Sequence, residues 1–181
     1  VYIIDELNLG GVPDEDICIV FAQGSHRSQT PEEDELVCGK EVLKRIKTYQ
    51  HDCQDPTLVD MGTTKIGTPL KLNKHVVDAD KVILVDGITT HLFAGFGGGR
   101  KLILPGVAGY ETIQRNHCHA LSEKVGGGVN PHTRPLMIDH NPLNDDMVEA
   151  CQKINPCFLV HSIINADGEI CRMVGGDWYK A

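Results

Sequence analysis

The chain has 181 residues, a formal net charge of -8 and apolar residues at 41% of its positions. This length suits about one domain, and no apolar run reaches the ~18 residues that a membrane-spanning helix requires. The negative charge opposes binding to a phosphate backbone, so neither nucleic acid nor a membrane is predicted as a partner.

The cysteines and the first residues bear on the cellular compartment. Seven cysteines are present, an odd number, and none of them form a C-x-x-C pair, so no disulfide framework is predicted. Reduced thiols indicate a cytoplasmic location. The opening residues 1–7 are too short and too acidic for a signal peptide. Because the chain starts without Met and stops without a terminating signal, we expect it to be a piece of a longer polypeptide.

The first part of the chain alternates helical and strand patterns. A short helix is predicted to end at Gly10-Gly11. Residues 17–22 are continuously apolar, which is typical of a strand buried on both faces of a parallel sheet. After the polar loop 23–29, the segment Thr30–Glu33 combines an N-cap, a first-turn proline and a capping glutamate. The order is therefore strand, polar loop, helix.

The same alternation continues to the end of the chain. It predicts one α/β domain over residues 1–181, built as a three-layer, mostly parallel Rossmann-like sheet with an antiparallel hairpin near the C-terminal end. The turn of that hairpin is Asn165-Ala166-Asp167-Gly168. The other predicted elements are strands at 58–61, 70–72, 82–85, 158–164 and 169–174, and helical segments at 76–80, 110–122 and 144–154.

Two histidines follow buried strands. Ligands of open α/β sheets bind beyond the carboxyl ends of the strands, and His26 and His91 lie in the loops predicted there. Histidine titrates near neutral pH, so two of them can serve as acid and base on opposite faces of one substrate carbon. A loop histidine taken alone more often makes a structural hydrogen bond.

The segment 95–102, Gly-Phe-Gly-Gly-Gly-Arg-Lys-Leu, invites a phosphate-loop interpretation that its residues do not support. A Walker A motif needs Ser or Thr after the lysine, whereas Leu102 follows Lys101. A dinucleotide fingerprint needs its glycines directly after a strand, and this segment begins ten residues after Val85. What remains is a loop that lets a ligand approach the backbone and presents Lys101, or else a structural turn with a solvated lysine.

Helical geometry separates His117 from His119. Tyr110, Ile113, His117 and Leu121 fall on one stripe, so His117 is predicted to face inward. An inward histidine is either a satisfied core residue or a metal ligand. The pair lacks the spacing of a structural zinc site. Surface or loop roles are predicted for the other histidines, which are His51, His75, His132, His140 and His161.

Taken together and in order, these motifs resemble the N-terminal domain of the nickel-dependent lactate racemase family. The resemblance runs through nearly the whole chain. The residues that carry it are Gly24–Arg27, His91–Phe96, Gly98–Lys101, Pro105-Gly106, Asn116-His117, Asn141–Leu143 and Asp146-Met147.

The resemblance implies an isomerase with a tethered nickel-pincer nucleotide, pyridinium-3-thioamide-5-thiocarboxylic acid mononucleotide. Lys101 matches the lysine of the thioamide link, and Gly98 and Gly99 lie at the cofactor. His117 matches the imidazole that completes the nickel coordination. His26 and His91 match the paired acid and base.

The implied reaction is racemisation or epimerisation of a 2-hydroxy acid. Hydride moves from the substrate carbon to the cofactor, a planar 2-keto acid forms, and hydride returns to its other face. The family's upstream loop and second domain lie outside these residues, so we expect residues 1–181 alone to be inactive. Two other classes stay open from the residues, a nicotinamide-dependent oxidoreductase and a non-catalytic ligand-binding module. Bound NAD without nickel would indicate the former.

Overall fold

The computed structural model describes residues 1–124, 126–165 and 167–181, and its architecture is mixed α/β. Within these residues, no helix has the length and apolar character needed to cross a membrane. The helices are α1 (Tyr2–Leu9), α2 (Pro31–Cys38), α3 (Lys40–Arg45), α4 (Lys74–Val77), α5 (Tyr110–Cys118) and α6 (Pro142–Ile154). The strands are β1 (Cys18–Phe21), β2 (Lys47–Gln50), β3 (Val59–Thr63), β4 (Pro69–Leu72), β5 (Ile83–Ile88), β6 (Thr90–His91), β7 (Gly95–Phe96), β8 (Phe158–Ile164) and β9 (Ile170–Gly176).

The strands pair in four small sheets. Strand β1 is parallel to β2, and β5 is parallel to β8. The pairs β3–β4, β6–β7 and β8–β9 are antiparallel. The α/β class and the antiparallel C-terminal strands are therefore confirmed. The described residues do not form the predicted single, mostly parallel Rossmann-like sheet. Strands β3 and β4 form a two-stranded sheet of their own, and β6 and β7 form another. The predicted turn includes Ala166, which lies outside the described residues.

Local sequence signals explain where the longer helices begin. Thr30 accepts a hydrogen bond from the Glu33 backbone N–H, and the Glu33 side chain accepts one from the Thr30 N–H, so the predicted capping box is confirmed. Helix α6 starts two residues before its predicted first residue, because Asn141 caps it and Pro142 occupies its first position. It ends at Asn155, which adopts the left-handed conformation.

The main hydrophobic core lies between β4, β5, β8, α5 and α6. Leu72, Leu84, Leu143 and Leu159 contribute side chains that are fully or almost fully buried. Ile103 and Leu104, in the segment directly after Lys101, belong to the same core. This burial anchors the chain on the C-terminal side of the lysine. A smaller cluster joins α1 to α3 and is made of Ile4, Val42 and Ile46.

Candidate functional site

The loop that carries His26 packs against the segment that follows Lys101. The Gly24 backbone N–H donates a hydrogen bond to the Gly106 carbonyl oxygen at 2.8 Å. Gly24 has φ +60, and a Cβ there would lie 3.4 Å from the Pro105 carbonyl oxygen. The His26 side chain is exposed. The loop after β1 and the glycine-rich segment after β5 are thus neighbours.

His91 ends β6 and is held by the backbone that follows it. Its Nδ1 accepts hydrogen bonds from the backbone N–H groups of Phe93, at 3.2 Å, and Ala94, at 3.0 Å. An imidazole nitrogen that accepts hydrogen bonds carries no proton. Neutral His91 therefore holds its proton on Nε2, which is a hydrogen-bond donor.

The pKa of His91 connects it to the other candidate residues. Burial lowers this pKa to about 4, and Lys101, His117 and Arg100 act in the same direction. The ring is therefore neutral at pH 7. Hydrogen bonds also link His91 to the Lys101 segment, because Ala94, whose N–H donates to His91 Nδ1, accepts a hydrogen bond from Arg100 at its carbonyl oxygen.

Lys101 is partly buried, unlike most lysines. It lies in a short 3-10 helix over Gly99–Leu102. Burial lowers the pKa of Lys101 to about 8, and the Arg100 charge acts in the same direction. A large share of the amine is therefore neutral near pH 8, and a neutral amine is the nucleophilic form.

Arg100 points into the protein, where it ties the glycine-rich segment together. Its guanidinium donates hydrogen bonds to the carbonyl oxygens of Ala94, at 2.9 Å, and Phe96, at 3.1 Å. It also donates to the Asn144 side-chain oxygen on α6, at 2.6 Å. In the described part of the chain, no carboxylate forms a salt bridge with Arg100. Its positive charge is therefore held beside Lys101 by neutral acceptors.

The partly buried Asp86 and the buried His161 contact the glycines. Asp86 on β5 and His161 on β8 are opposite one another in the parallel pairing, and their side chains contact each other through Oδ1 and Nδ1. The other Asp86 oxygen accepts a hydrogen bond from the Gly99 backbone N–H at 2.7 Å. A Cβ on Gly98, whose φ is +81, would lie 2.9 Å from the His161 ring. Gly98 is therefore required by packing.

The inward orientation predicted for His117 is wrong. His117 is exposed, and the buried residues of α5 are Thr112, Ile113 and Asn116. The predicted stripe depended on counting apolar residues, but the helix buries the polar Thr112 and Asn116 because each has a hydrogen-bond acceptor in the core. His117 donates its Nδ1 proton to the Ile113 carbonyl oxygen at 2.8 Å. Its Nε2 is left as the nitrogen with a free lone pair.

A buried carboxylate fixes helix α5 in place. Asp146, which is 1% exposed, accepts hydrogen bonds from the hydroxyls of Thr64 and Thr68 and from the Asn116 amide, at 2.6, 2.8 and 2.8 Å. The His119 Nε2 lies 3.0 Å from the same Thr68 hydroxyl. Since Asn116 precedes His117, this network sets the position of the histidine.

Two of the histidines given surface or loop roles are in fact buried. His161 is 4% exposed and His51 is 1% exposed. His51 lies 3.0 Å from the Ala108 carbonyl oxygen and 3.2 Å from the Asn73 amide nitrogen. The sequence signal was weak, because each buried histidine is flanked by polar as well as apolar residues. His75, His132 and His140 are exposed, as predicted.

Comparison with known proteins identifies the class to which this fold and site belong. Residues 1–128 match the family model described as the lactate racemase N-terminal domain. The chain therefore belongs to the lactate racemase N-terminal domain family.

Individual relatives agree with this assignment. The chain is 34% identical over 164 residues to a lactate racemase of Thermoanaerobacterium thermosaccharolyticum and 33% identical over 171 residues to one of Lactiplantibacillus plantarum. These alignments cover 90% and 93% of the chain but only 37% and 39% of the relatives. The chain thus spans less than two fifths of their length.

Solved structures show the same fold. The lactate racemase apoprotein of Thermoanaerobacterium thermosaccharolyticum superposes with a TM-score of 0.84 at 32% identity, over 92% of this chain and 39% of that one. A protein from Thermotoga maritima superposes with a TM-score of 0.68 at 23% identity, over 86% of this chain and 40% of that one. The second likeness shows the fold alone.

Proposed function

We propose that the protein is an isomerase that interconverts the configurations of a 2-hydroxy acid, using a nickel-pincer nucleotide attached to Lys101. The observation that supports this most is a chain of hydrogen bonds between the two segments that hold His91 and Lys101. The Ala94 backbone N–H donates to His91 Nδ1 at 3.0 Å, and the Ala94 carbonyl oxygen accepts from Arg100, next to Lys101, at 2.9 Å. This link between the proposed proton-transfer group and the proposed attachment point supports the role that the family membership leads us to expect.

The residues present fit such a cofactor. His117 offers an exposed Nε2 lone pair, and Lys101 offers a partly neutral amine for a thioamide bond. Residues 1–124, 126–165 and 167–181 contain no group of three or more His, Cys, Asp or Glu side chains that would hold a metal ion. The resemblance to the family implies that a nickel ion at His117 would take further ligands from the nucleotide. When bound, this cofactor supplies a hydride acceptor.

The histidines would divide the proton transfers between them. Neutral His91 holds its proton on Nε2, so it can donate a hydrogen bond to a substrate oxygen, whereas proton transfer to that oxygen requires the imidazolium. It takes up a proton at Nε2 only after its Nδ1 releases the N–H groups of Phe93 and Ala94, because Nδ1 must then carry a proton. His26 is exposed on the neighbouring loop and is the proposed partner on the opposite face. Racemisation needs both histidines in every turnover.

This chain matches only 37% and 39% of the length of the two relatives. The test therefore uses the full-length protein from a host that makes the cofactor. We expect racemisation of a panel of 2-hydroxy acids, with His26→Ala and His91→Ala each slower by about 10²–10⁴-fold in both directions at unchanged nickel content. His132→Ala, an exposed histidine, serves as the control. Near-normal turnover of either variant at full nickel loading would refute the two-histidine mechanism. Bound NAD without nickel would indicate an oxidoreductase instead.

A further inference from the structure

The segment Gly98–Lys101 owes its conformation to two residues that the proposed reaction does not use. Asp86 and His161 lie on adjacent parallel strands, and their side chains are only 13% and 5% exposed. Burial raises the pKa of Asp86, and the neighbouring His161 opposes this rise. A contacting carboxylate and imidazole in the core are costly unless their partners are well placed.

We infer that Asp86 and His161 are positioning residues that hold the glycine-rich segment in the conformation that presents Lys101. This inference rests on the proposed attachment of the cofactor to Lys101, but the experiments below need no cofactor. Asp86 acts through the Gly99 backbone N–H, which donates to its Oδ2 at 2.7 Å. His161 acts through packing, since its ring occupies the space that a Gly98 side chain would need.

Other contacts fix the remainder of the segment, so Asp86 and His161 act on its first two residues, Gly98 and Gly99. Arg100 donates hydrogen bonds to carbonyl oxygens of the same loop and to Asn144 on α6. Beyond Lys101, Ile103 is buried in the core. If Gly98 and Gly99 are released, the Lys101 side chain can move into water, where the pKa of its amine rises towards that of a solvated lysine. The charged group that lowers the pKa of this amine is Arg100, which is next to it.

Two measurements test the inference on the protein without cofactor. Competitive acetylation with trace acetic anhydride over a pH series, read by peptide mass spectrometry, gives the pKa of Lys101, with exposed Lys65 as an internal standard. Hydrogen exchange gives the protection of the Gly99 amide. Asp86→Ala removes the acceptor, and Asp86→Asn keeps an oxygen for the Gly99 N–H.

We expect Asp86→Ala to raise the pKa of Lys101 from about 8 towards 10.5 and to speed exchange at Gly99. Full release would slow acetylation near pH 8 by roughly a hundredfold, because far less amine is neutral. Asp86→Asn should retain most of the wild-type behaviour in both measurements. A folded Asp86→Ala protein with wild-type acetylation and exchange would overturn the inference, whatever the outcome for the cofactor.

A second variant covers the case in which Asp86→Ala does not fold. Gly98→Ala pushes the segment away from His161 while leaving Asp86 and His161 intact. Its matched control is Gly62→Ala, because Gly62 has φ +80 and a Cβ there would meet nothing within 4 Å, so it shares the backbone strain without the displacement. We expect Gly98→Ala to raise the pKa of Lys101 and to speed hydrogen exchange at Gly99, and Gly62→Ala to do neither. A folded Gly98→Ala protein with the wild-type pKa at Lys101 and the wild-type exchange rate at Gly99 would overturn the inference.

Discussion

His117 donates its Nδ1 proton to the carbonyl oxygen of Ile113, one turn earlier on α5, across 2.8 Å. This bond fixes the tautomer, so that Nε2 has the lone pair and the exposed side chain offers it outward. His119, two residues later, differs in both respects. Its side chain is only 16% exposed, and its Nε2 contacts the Thr68 hydroxyl. Helix α5 and the residue that caps its C-terminal end therefore carry one available and one engaged imidazole.

This contrast predicts which histidine binds the metal. We expect His117→Gln to remove most of the nickel from protein made in a host that supplies the cofactor, because the Nε2 ligand is lost. His119→Gln should keep its nickel, since glutamine can replace the hydrogen bond to Thr68. The measurement is nickel per protein by inductively coupled plasma mass spectrometry. Full nickel content in His117→Gln, or equal loss in both variants, would contradict the assignment.

His91 should show an unusual titration in the absence of cofactor. We expect its ring to be neutral at pH 7, with the proton on Nε2, and to titrate near its lowered pKa of about 4. In Lys101→Met this pKa should rise, because a nearby positive charge is removed. Long-range ¹⁵N–¹H NMR of histidine-labelled protein reads both the tautomer and the pKa. A proton on Nδ1, or a pKa that Lys101→Met leaves unchanged, would count against this description of the site.

The same lowered pKa has a consequence for stability. Between about pH 6.5 and 4 the unfolded chain binds a proton at His91 that the folded protein does not. The free energy of unfolding should therefore fall as the pH falls through this window. In His91→Gln this part of the pH dependence should disappear. Urea unfolding at several pH values measures it, and identical pH profiles for the two proteins would show that His91 makes no such contribution.

The buried Asp146 should be a major contributor to stability. Asp146→Ala leaves the hydroxyls of Thr64 and Thr68 and the Asn116 amide without their acceptor, so we expect a loss of about 3 kcal/mol or more in the free energy of unfolding. Asp139→Ala, at an exposed aspartate, should change it by less than about 0.5 kcal/mol. Urea unfolding compares the two. Equal small losses would mean that the buried network is not tightly coupled.

Local signals in the sequence were sufficient for several elements. The Thr30–Glu33 capping box and the strand predicted over residues 17–22 depend on neighbouring residues alone, and the structure has both, the strand over Cys18–Phe21. The predicted burial of that strand on both faces is not seen, because Cys18 is exposed and only Phe21 is buried. Strand β2 was not predicted, because its sequence Lys47–Gln50 is polar and its pairing with β1 is a tertiary contact. The separation of the strands into four sheets likewise depends on long-range pairing, which periodicity does not encode.

The candidate site was predictable from the sequence only in part. His26, His91 and Lys101 could be proposed as candidates because they follow predicted strands or lie in a glycine-rich segment. The contact between Asp86 and His161 was missed, since it depends on the register of two strands that are far apart in sequence. The orientation of His117 was predicted wrongly because buried polar residues with core partners resemble surface residues in a hydropathy pattern.

The central proposal is that Lys101 carries the cofactor, and peptide mass spectrometry of the full-length protein tests it most directly. The protein is made in a host able to produce the cofactor, digested, and compared with Lys101→Ala prepared in the same way. We predict an added mass on the peptide containing Lys101, nickel in the intact protein, and neither in Lys101→Ala. An unmodified Lys101 peptide in protein that nevertheless racemises a 2-hydroxy acid would contradict the proposal.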